Sequence, residues 1–386
     1  MKIYWYAPFD NASETDLAIE LTNATSHELV FHSCSHRFGQ PLDPNPAGRF
    51  SLIRDLPPPA GEMGERRTAL RQLQVVVQRT ARRRRLVQSS GFDLAHMHTF
   101  NLVTDWIAIR RLRRLVPAVV QSVHDIRPQR SRLPRRLETT LLRLGYSQRS
   151  ALIVAHDHLR QLLVTDFGVD PERVHIVPLP VLPLPGLSAP KPRSIGTPMT
   201  VLFFGTFREN KGIPVLLEAI RLLAHRDDLR FIFGGRGDEP LECAVRDAAA
   251  NDPRIHEEVG YVTDDRRQEL LEMSDLVILP YLRFNSQSGV LSRDAYGSRR
   301  PVIATRVGAL GQAVERDSTG WLIEPGDPVA LARAIEHAAD SPDDYNDRVA
   351  RIHEIARTRS MDQIAGKIAA VYDSCGHGSA AGTRLC

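Results

Sequence analysis

Short runs of consecutive apolar residues punctuate the chain, and between them apolar positions recur every three or four residues. The first half carries KIYWYA (2–7), ELVFHSC (28–34), DLAHMHTF (93–100), PAVVQSVHD (117–125), ALIVAHD (151–157) and VHIVPLP (174–180). Runs this short and this apolar fit strands buried on both faces, as in parallel sheets. The intervening stretches, 66–88 and 136–146 among them, have the spacing of amphipathic helices. The alternation predicts a doubly wound α/β domain. A second series repeats the rhythm: TVLFFGTF (200–207), RFIFGGRG (230–237), IHEEVGYV (255–262), DLVILPY (275–281), PVIATRVG (301–308) and GWLIEPG (320–326).

Between the two series, from Pro178 to Pro198, the chain is rich in Pro, Gly and Ser. Proline can continue neither a ladder nor a helix interior, so a connection is expected there. The predicted organisation is a first domain over 1–183, a linker over 184–198 and a second domain over 199–358. A last helix over 359–374 is expected to return to the first domain, and 375–386 reads as a frayed tail. Two doubly wound domains facing a central cleft would bind ligands at the carboxyl ends of their strands.

Composition narrows the class. With 386 residues, 42% apolar and 25% charged, the chain fits two ordinary globular domains, and coiled coil, collagen-like repeats and long disorder are excluded. KIYWYA follows Met1 with no basic segment and no apolar stretch of membrane-spanning length, so a cytoplasmic location is expected. Cys34, Cys243, Cys375 and Cys386 show no paired spacing, which supports neither a disulfide framework nor a zinc site.

The net charge of +4 hides an asymmetry: residues 1–186 hold 25 Lys and Arg against 17 Asp and Glu, and the remainder 25 against 29. Arginine is densest at 79–85, 110–114 and 127–136. Such faces are ordinary solvated helix surfaces or attract phosphate-bearing partners, an anionic acceptor or the inner membrane face. No helix-turn-helix, zinc-finger or aromatic RNA-binding pattern accompanies them, so nucleic acid is not an expected partner.

Two segments carry candidate chemistry. In TVLFFGTFRENKGIPVLLEAI (200–220), a strand runs through a turn containing Gly205 into a helix, with Arg208 and Lys211 at the helix entrance. Free N–H groups, the helix dipole and two cations together suit a diphosphate. In YLRFNSQSGVLSRDAYGSRRPVIATRVGAL (281–310), a turn from Ser286 to Gly289 precedes a helix. Backbone N–H groups of Gly289, Val290 and Leu291 could meet phosphate there, and Asp294 could accept from ribose hydroxyls. GGRGDEP (234–240) fails the dinucleotide fingerprint, which disfavours a dehydrogenase.

In this order and spacing, FFGTFRENKGIPVLLEAI, VGYVTDDRRQELLEMSDLVILPY, SGVLSRDAYGSRRPVIATRVGAL and STGWLIEPGDP resemble the retaining glycosyltransferases of family 4. The resemblance implies a GT-B fold of two Rossmann-like domains. It also implies a nucleotide-sugar donor held mainly by the second domain, and transfer of a hexose-type sugar with retention. By that resemblance Arg208 and Lys211 clamp the diphosphate, Gly205 belongs to the same loop, and Gly260 and Tyr261 border the nucleobase. Gly289 and Val290 contact phosphate, and Asp294 stands at the second acid of the family's Glu-x7-Glu motif. The first acid is replaced by Ser286, which leaves the donor sugar open.

PAVVQSVHDIRP (117–128) resembles the family strand whose terminal histidine approaches the transferred sugar. That makes His124 a candidate, with Asp125 beside it, and His98 at another strand end. Asn11, Ala12 and Ser13 stand where many relatives have a glycine-rich loop. No Asp-x-Asp motif stands beside a donor loop, and Asp264 with Asp265 reads as helix capping, so neither metal nor cofactor is expected. The expected activity is therefore metal-independent hexosyl transfer from a UDP-sugar, ahead of a GDP-sugar, to a glycan, lipid-linked sugar or natural product. A silent nucleotide-sugar-binding module and a GT-B epimerase are the alternatives.

Overall fold

The computed structural model describes residues 1–7, 12–33, 49–54, 81–98, 112–128, 133–182, 184, 186–188, 190–284 and 288–377. Ser286 and Asn11 lie outside these residues, as do the side chains of Ala12 and Ser13. The chain divides into two units: Met1–Pro178 with Met361–Cys386, and Leu179–Ser360.

In the first unit the apolar runs become β1 (Lys2–Ala7), β2 (Glu28–Ser33), β4 (Leu94–Met97), β5 (Ala118–Ser122), β6 (Ala151–Val154) and β7 (Val174–Ile176). A strand the pattern did not show, β3 (Phe50–Arg54), joins them. All pair in parallel in the order β3-β2-β1-β4-β5-β6-β7. Helices of this unit among the described residues are α1 (Ala12–Ala24), α2 (81–90), α3 (Arg135–Tyr146) and α4 (Asp157–Phe167). Helix α3 shows why amphipathic spacing folds as it does: Glu138, Leu142, Gly145 and Tyr146 are buried while Arg135, Arg136 and Arg143 face solvent.

The second unit holds β8 (Met199–Phe204), β9 (Leu229–Gly235), β10 (Ile255–Val259), β11 (Leu276–Leu279), β12 (Val302–Thr305) and β13 (Gly320–Ile323), ordered β10-β9-β8-β11-β12-β13 and all parallel. Its helices are α5 (Ile213–Leu222), α6 (Glu239–Asn251), α7 (Asp264–Glu272), α8 (Gly308–Asp317), α9 (Pro328–Asp340) and α10 (Pro342–Thr358). The proline-rich stretch expected as a linker is fastened to this unit. Leu184 N–H donates to Gly297 O at 3.3 Å, Arg193 N–H to Asn346 Oδ1 at 3.0 Å, and Arg193 pairs with Asp275 at 3.4 Å.

The last helix, α11 (Met361–His377), belongs to the first unit and packs on α1. Ile364, Ile368 and Tyr372 are buried in one cluster with Ile3, Trp5 and Leu29. Burying a large apolar side chain contributes about 1.5–3 kcal/mol, so this face holds the helix firmly. In each sheet the strand order reverses direction once, between β1 and β4 and between β8 and β11. Those reversals open crevices at the carboxyl ends of the strands.

Candidate active site

In the second unit the strand ends around that reversal are tied by main-chain bonds. Gly205 N–H donates to Gly234 O, Phe207 N–H to Arg236 O and Gly260 N–H to Gly235 O, each at 2.9 Å. The approach is close enough that a Cβ on Gly235, whose φ is +136°, would lie 1.9 Å from Gly205 O. The turn after β8 then crosses to the segment after β11. Leu282 N–H donates to Asn210 O at 2.9 Å, and Asn210 Nδ2 donates to Arg283 O at 3.2 Å.

These bonds set the two expected cations. Lys211 Nζ lies 3.6 Å from the centroid of the Tyr281 ring and 4.6 Å from that of Phe284, positions where an ammonium is held by the ring quadrupole. Arg208 is exposed at the first turn, and no carboxylate pairs with either cation among the described residues. Burial, with Arg208 beside it, brings the Lys211 ammonium down to about 8. An anion arriving here would meet two positive groups and restore the lysine's affinity for its proton.

A pH signature follows. Affinity for a nucleoside diphosphate is expected to hold steady near neutrality and to fall as pH rises through about 8, where Lys211 loses its charge. The free protein moves the other way. Its unfolded chain keeps the lysine proton to higher pH than the folded one, so Lys211 adds stability as pH rises from about 8. Calorimetric titration with UDP from pH 6.5 to 9.5, beside melting curves, reads both; an affinity that does not weaken above pH 8 removes Lys211 from the anion site.

The segment around Val290 meets the same place, since a Cβ on Gly205 would lie 3.8 Å from Val290 Cγ2. Gly289 is in right-handed helical backbone, φ −60°, with open space over its Cα. Glycine is therefore not demanded there by conformation, and the expectation of close approach rests on that open space. The helix that follows is a short π-helix, Val290–Ala295, and Leu291 N–H already donates to Ser288 Oγ at 3.2 Å. Of the three expected N–H donors, Leu291 is thus engaged within the chain.

Asp294 sits differently from expectation. It is fully buried, with Oδ1 accepting from Arg267 Nη1 at 2.8 Å and from Arg293 Nε at 3.2 Å, while Oδ2 has no partner among the described residues. Burial pushes its carboxyl up, against the pull of the two guanidinium groups. Oδ2 is buried as well, so neither oxygen is open to a ribose hydroxyl, and the expected ribose contact is not what this geometry offers. Arg267 also reaches Asp264 at 3.1 Å, so it binds the start of α7 to this segment. The cap of α7 is Thr263, whose hydroxyl accepts from Arg266 N–H, so Asp264 serves as an ion-pair partner and not as the cap.

Gly260 and Tyr261 follow β10, where Tyr261 is 73% exposed with the Arg236 guanidinium 5.3 Å over its ring. An exposed aromatic face beside an arginine suits a planar heterocycle. Arg236 was not among the residues expected from the sequence, although its place directly after β9, in the GGRG turn, is the signal that finds it.

In the first unit, His98 and His124 come together at the ends of β4 and β5. Their Nε2 atoms are 2.7 Å apart and their rings 4.3 Å apart. Glu14 of α1 reaches His98 Nε2 at 2.8 Å. Beneath them His96 is fully buried, bonded to Ser122 Oγ at 2.8 Å and to Tyr372 Oη of α11 at 2.5 Å. Burial, then the neighbouring His98 and His124, hold the His96 imidazole well below the usual range, so it is neutral. A cavity of about 200 Å³ opens beside the pair, lined by His98, Ser122, His124, Asp125, Leu142 and Tyr146 among others. Imidazole and carboxylate groups line it together with the apolar Val123, Ile126 and Leu142, a combination suited to a sugar or polyol. Glu14 carries no local motif, and only the fold brings it to His98.

Comparison with known proteins bears on the family and the fold. Residues 24–182 match the family model described as Glycosyltransferase Family 4, and residues 198–341 match that described as Glycosyl transferases group 1. Among curated proteins, the D-inositol 3-phosphate glycosyltransferase of Corynebacterium glutamicum is 29% identical over 55% of this chain and 54% of its own. That of Streptomyces scabiei is 28% identical over 56% and 52%. The chain thus spans about half the length of the curated relatives it matches.

Among solved structures, sucrose-phosphate synthase from Thermosynechococcus elongatus superposes with a TM-score of 0.73 at 15% identity, over 98% of this chain and all of that one. A glycosyltransferase from Rickettsia africae gives 0.70 at 15%, over 97% and 98%. Anabaena HepE in complex with UDP gives 0.66 at 17%, over 97% and 100%. At such identities the likeness is one of fold.

Proposed function

This chain belongs to glycosyltransferase family 4 and has the GT-B fold, and from that premise we propose that it transfers a hexose from a UDP-sugar to a phosphate-bearing acceptor with retention of configuration. The observation that carries the reading is the pair Arg208 and Lys211, two cations without carboxylate partners among the described residues, on the turn at the strand-order reversal of the second unit. That is where a diphosphate leaving group needs its charge balanced, and preorganised charge often contributes more than any other effect in such catalysis.

In this reaction the bond between the anomeric carbon and the diphosphate oxygen breaks as the acceptor oxygen bonds to that carbon from the same face. The acceptor's proton passes to the departing diphosphate. No side chain need act as a strong base, and the two cations supply the neutralisation that a divalent ion gives elsewhere. Tyr261 and Arg236 would flank the base.

UDP leads because a protein of like fold was solved with UDP and with UDP-glucose. A phosphate-bearing acceptor is supported by the names of the curated relatives and by the basic first unit, where Arg82, Arg84, Arg85, Arg135, Arg136 and Arg143 are exposed. No helix among the described residues is long and apolar enough to cross a membrane.

The test is a thermal-shift and calorimetric screen against UDP, GDP, ADP and dTDP, each with and without magnesium. Selective binding of UDP, raising the melting temperature by mass action without magnesium, is the expected result. Binding of none of the four would mean that the cation pair is not a diphosphate site and that the transferase reading fails.

A further inference from the structure

Lys211 is a cation without a counter-charge. It is half-buried, Arg208 stands on the same turn, and no carboxylate compensates it among the described residues. Burial and a like charge both drive an ammonium toward its neutral form. What lies against it is the face of Tyr281, with Nζ 3.6 Å from the ring centroid. An aromatic face favours the charged form, and more strongly where water is excluded.

That face is itself held from several sides. Tyr281 is 1% exposed. Its carbonyl accepts from Thr305 Oγ1 at 2.6 Å, at the end of β12. The Phe284 ring packs on it with centroids 5.1 Å apart. Its hydroxyl lies beside Ser288, whose Oγ accepts from Leu291 N–H at 3.2 Å. One ring therefore joins the turn that carries Lys211 to β12 and to the start of the Val290–Ala295 segment.

As a partner for a lysine, a ring differs from a carboxylate in a way that matters for anion binding. A carboxylate would cancel the charge and repel incoming phosphates. The ring attracts the ammonium through its quadrupole and carries no net charge, so the whole positive charge remains for an arriving anion. We propose that Tyr281 is a positioning residue of the diphosphate site: its ring holds Lys211 Nζ as a neutral partner, keeping the ammonium in place and uncancelled until the donor diphosphate binds. For its ligand this rests on the transferase reading, whereas the contact belongs to the free protein. The charged groups that bear on the pair are Arg208, beside Lys211, and Asp294, which acts on Tyr281 and is itself met by Arg267 and Arg293.

The chain has four lysines, Lys2, Lys191, Lys211 and Lys367, so their side-chain resonances can be followed one by one in carbon-13 spectra. In the free wild-type protein the ε-methylene of Lys211 is expected to be shifted upfield by the Tyr281 ring current and to titrate at about 8. Tyr281→Leu keeps an apolar side chain and removes the ring. The Lys211 midpoint is then expected to fall by about half a unit or more, because the charged form loses its partner, and UDP affinity near neutrality to fall about tenfold. Tyr281→Phe, which puts the ring back, is expected to rescue the upfield shift and the midpoint. A residue that only filled the core would lower the melting temperature in Tyr281→Leu and leave the midpoint in place.

An unshifted Lys211 signal in the folded wild type overturns the proposal without recourse to either variant. A Tyr281→Leu midpoint at or above that of the wild type, or a UDP affinity that this variant leaves unchanged, overturns it as well. Failure of the wild type to bind any of the four nucleotides is a separate result: it strikes the transferase reading, and the role of Tyr281 in a donor site with it, even where the shifted lysine signal is present.

Discussion

Arg208→Ala is expected to lower turnover about 10²- to 10³-fold, equivalent to about 3–4 kcal/mol of lost transition-state stabilisation, with little change in melting temperature. The side chain is exposed and makes no ion pair among the described residues, so the fold loses little when it is cut back. Its loss is felt only when negative charge develops on the departing diphosphate. The measurement is nucleotide release from the donor identified by titration, beside UDP affinity and a melting curve. A variant that retains full turnover would remove Arg208 from the site.

A change one residue beyond Lys211 should act on the scaffold. Gly212 has φ +70°, and a Cβ there would lie 1.9 Å from Pro280 O. Alanine costs about 1–2 kcal/mol for the left-handed backbone alone. Relieving the overlap then means separating the turn at 209–212 from the segment after β11, breaking the bond from Leu282 N–H to Asn210 O and lifting Lys211 from Tyr281 and Phe284. Gly212→Ala is expected to cost about 3 kcal/mol or more, a fall of roughly 6–12 °C in the melting temperature, and to abolish UDP binding. Gly289→Ala is the control. With φ −60° and open space over its Cα, it should leave the melting temperature nearly unchanged. Equal melting temperatures for the two variants would contradict this account of the turn.

The pattern of apolar runs was enough to reveal the parallel sheet of the second unit. Strands such as Leu276–Leu279 and Val302–Thr305 are buried on both faces, so each reads as an unbroken apolar run. Phe50–Arg54 escaped because it lies at the sheet edge, where polar Ser51 and the terminal Arg54 interrupt the run. The site was legible where chemistry is local. Arg208 and Lys211 share one turn, and Gly260 and Tyr261 directly follow a strand. Pairings made by the fold left no local trace: Glu14 with His98, Arg267 with Asp294, and Tyr372 with His96 join residues far apart in the chain. Asp294 shows the cost of that blindness, since a carboxylate expected to face a ligand is buried against Arg267.

The return of α11 to the first unit turns folding into a matter of timing. Ile3, Trp5 and Leu29 leave the ribosome early, yet the side chains that share their cluster, Ile364, Ile368 and Tyr372, come after the whole of the second unit. At about 5–20 residues per second, synthesis of 179–360 occupies roughly ten to forty seconds. During that interval the nascent first sheet lacks the part of its cover that α11 supplies beside Leu17, Ala18 and Leu21 of α1, while the second unit, being continuous in the chain, can close on its own. The unit that opens this sequence is completed only after the one that follows it, and until then the face awaiting α11 is where a stray second chain would find purchase.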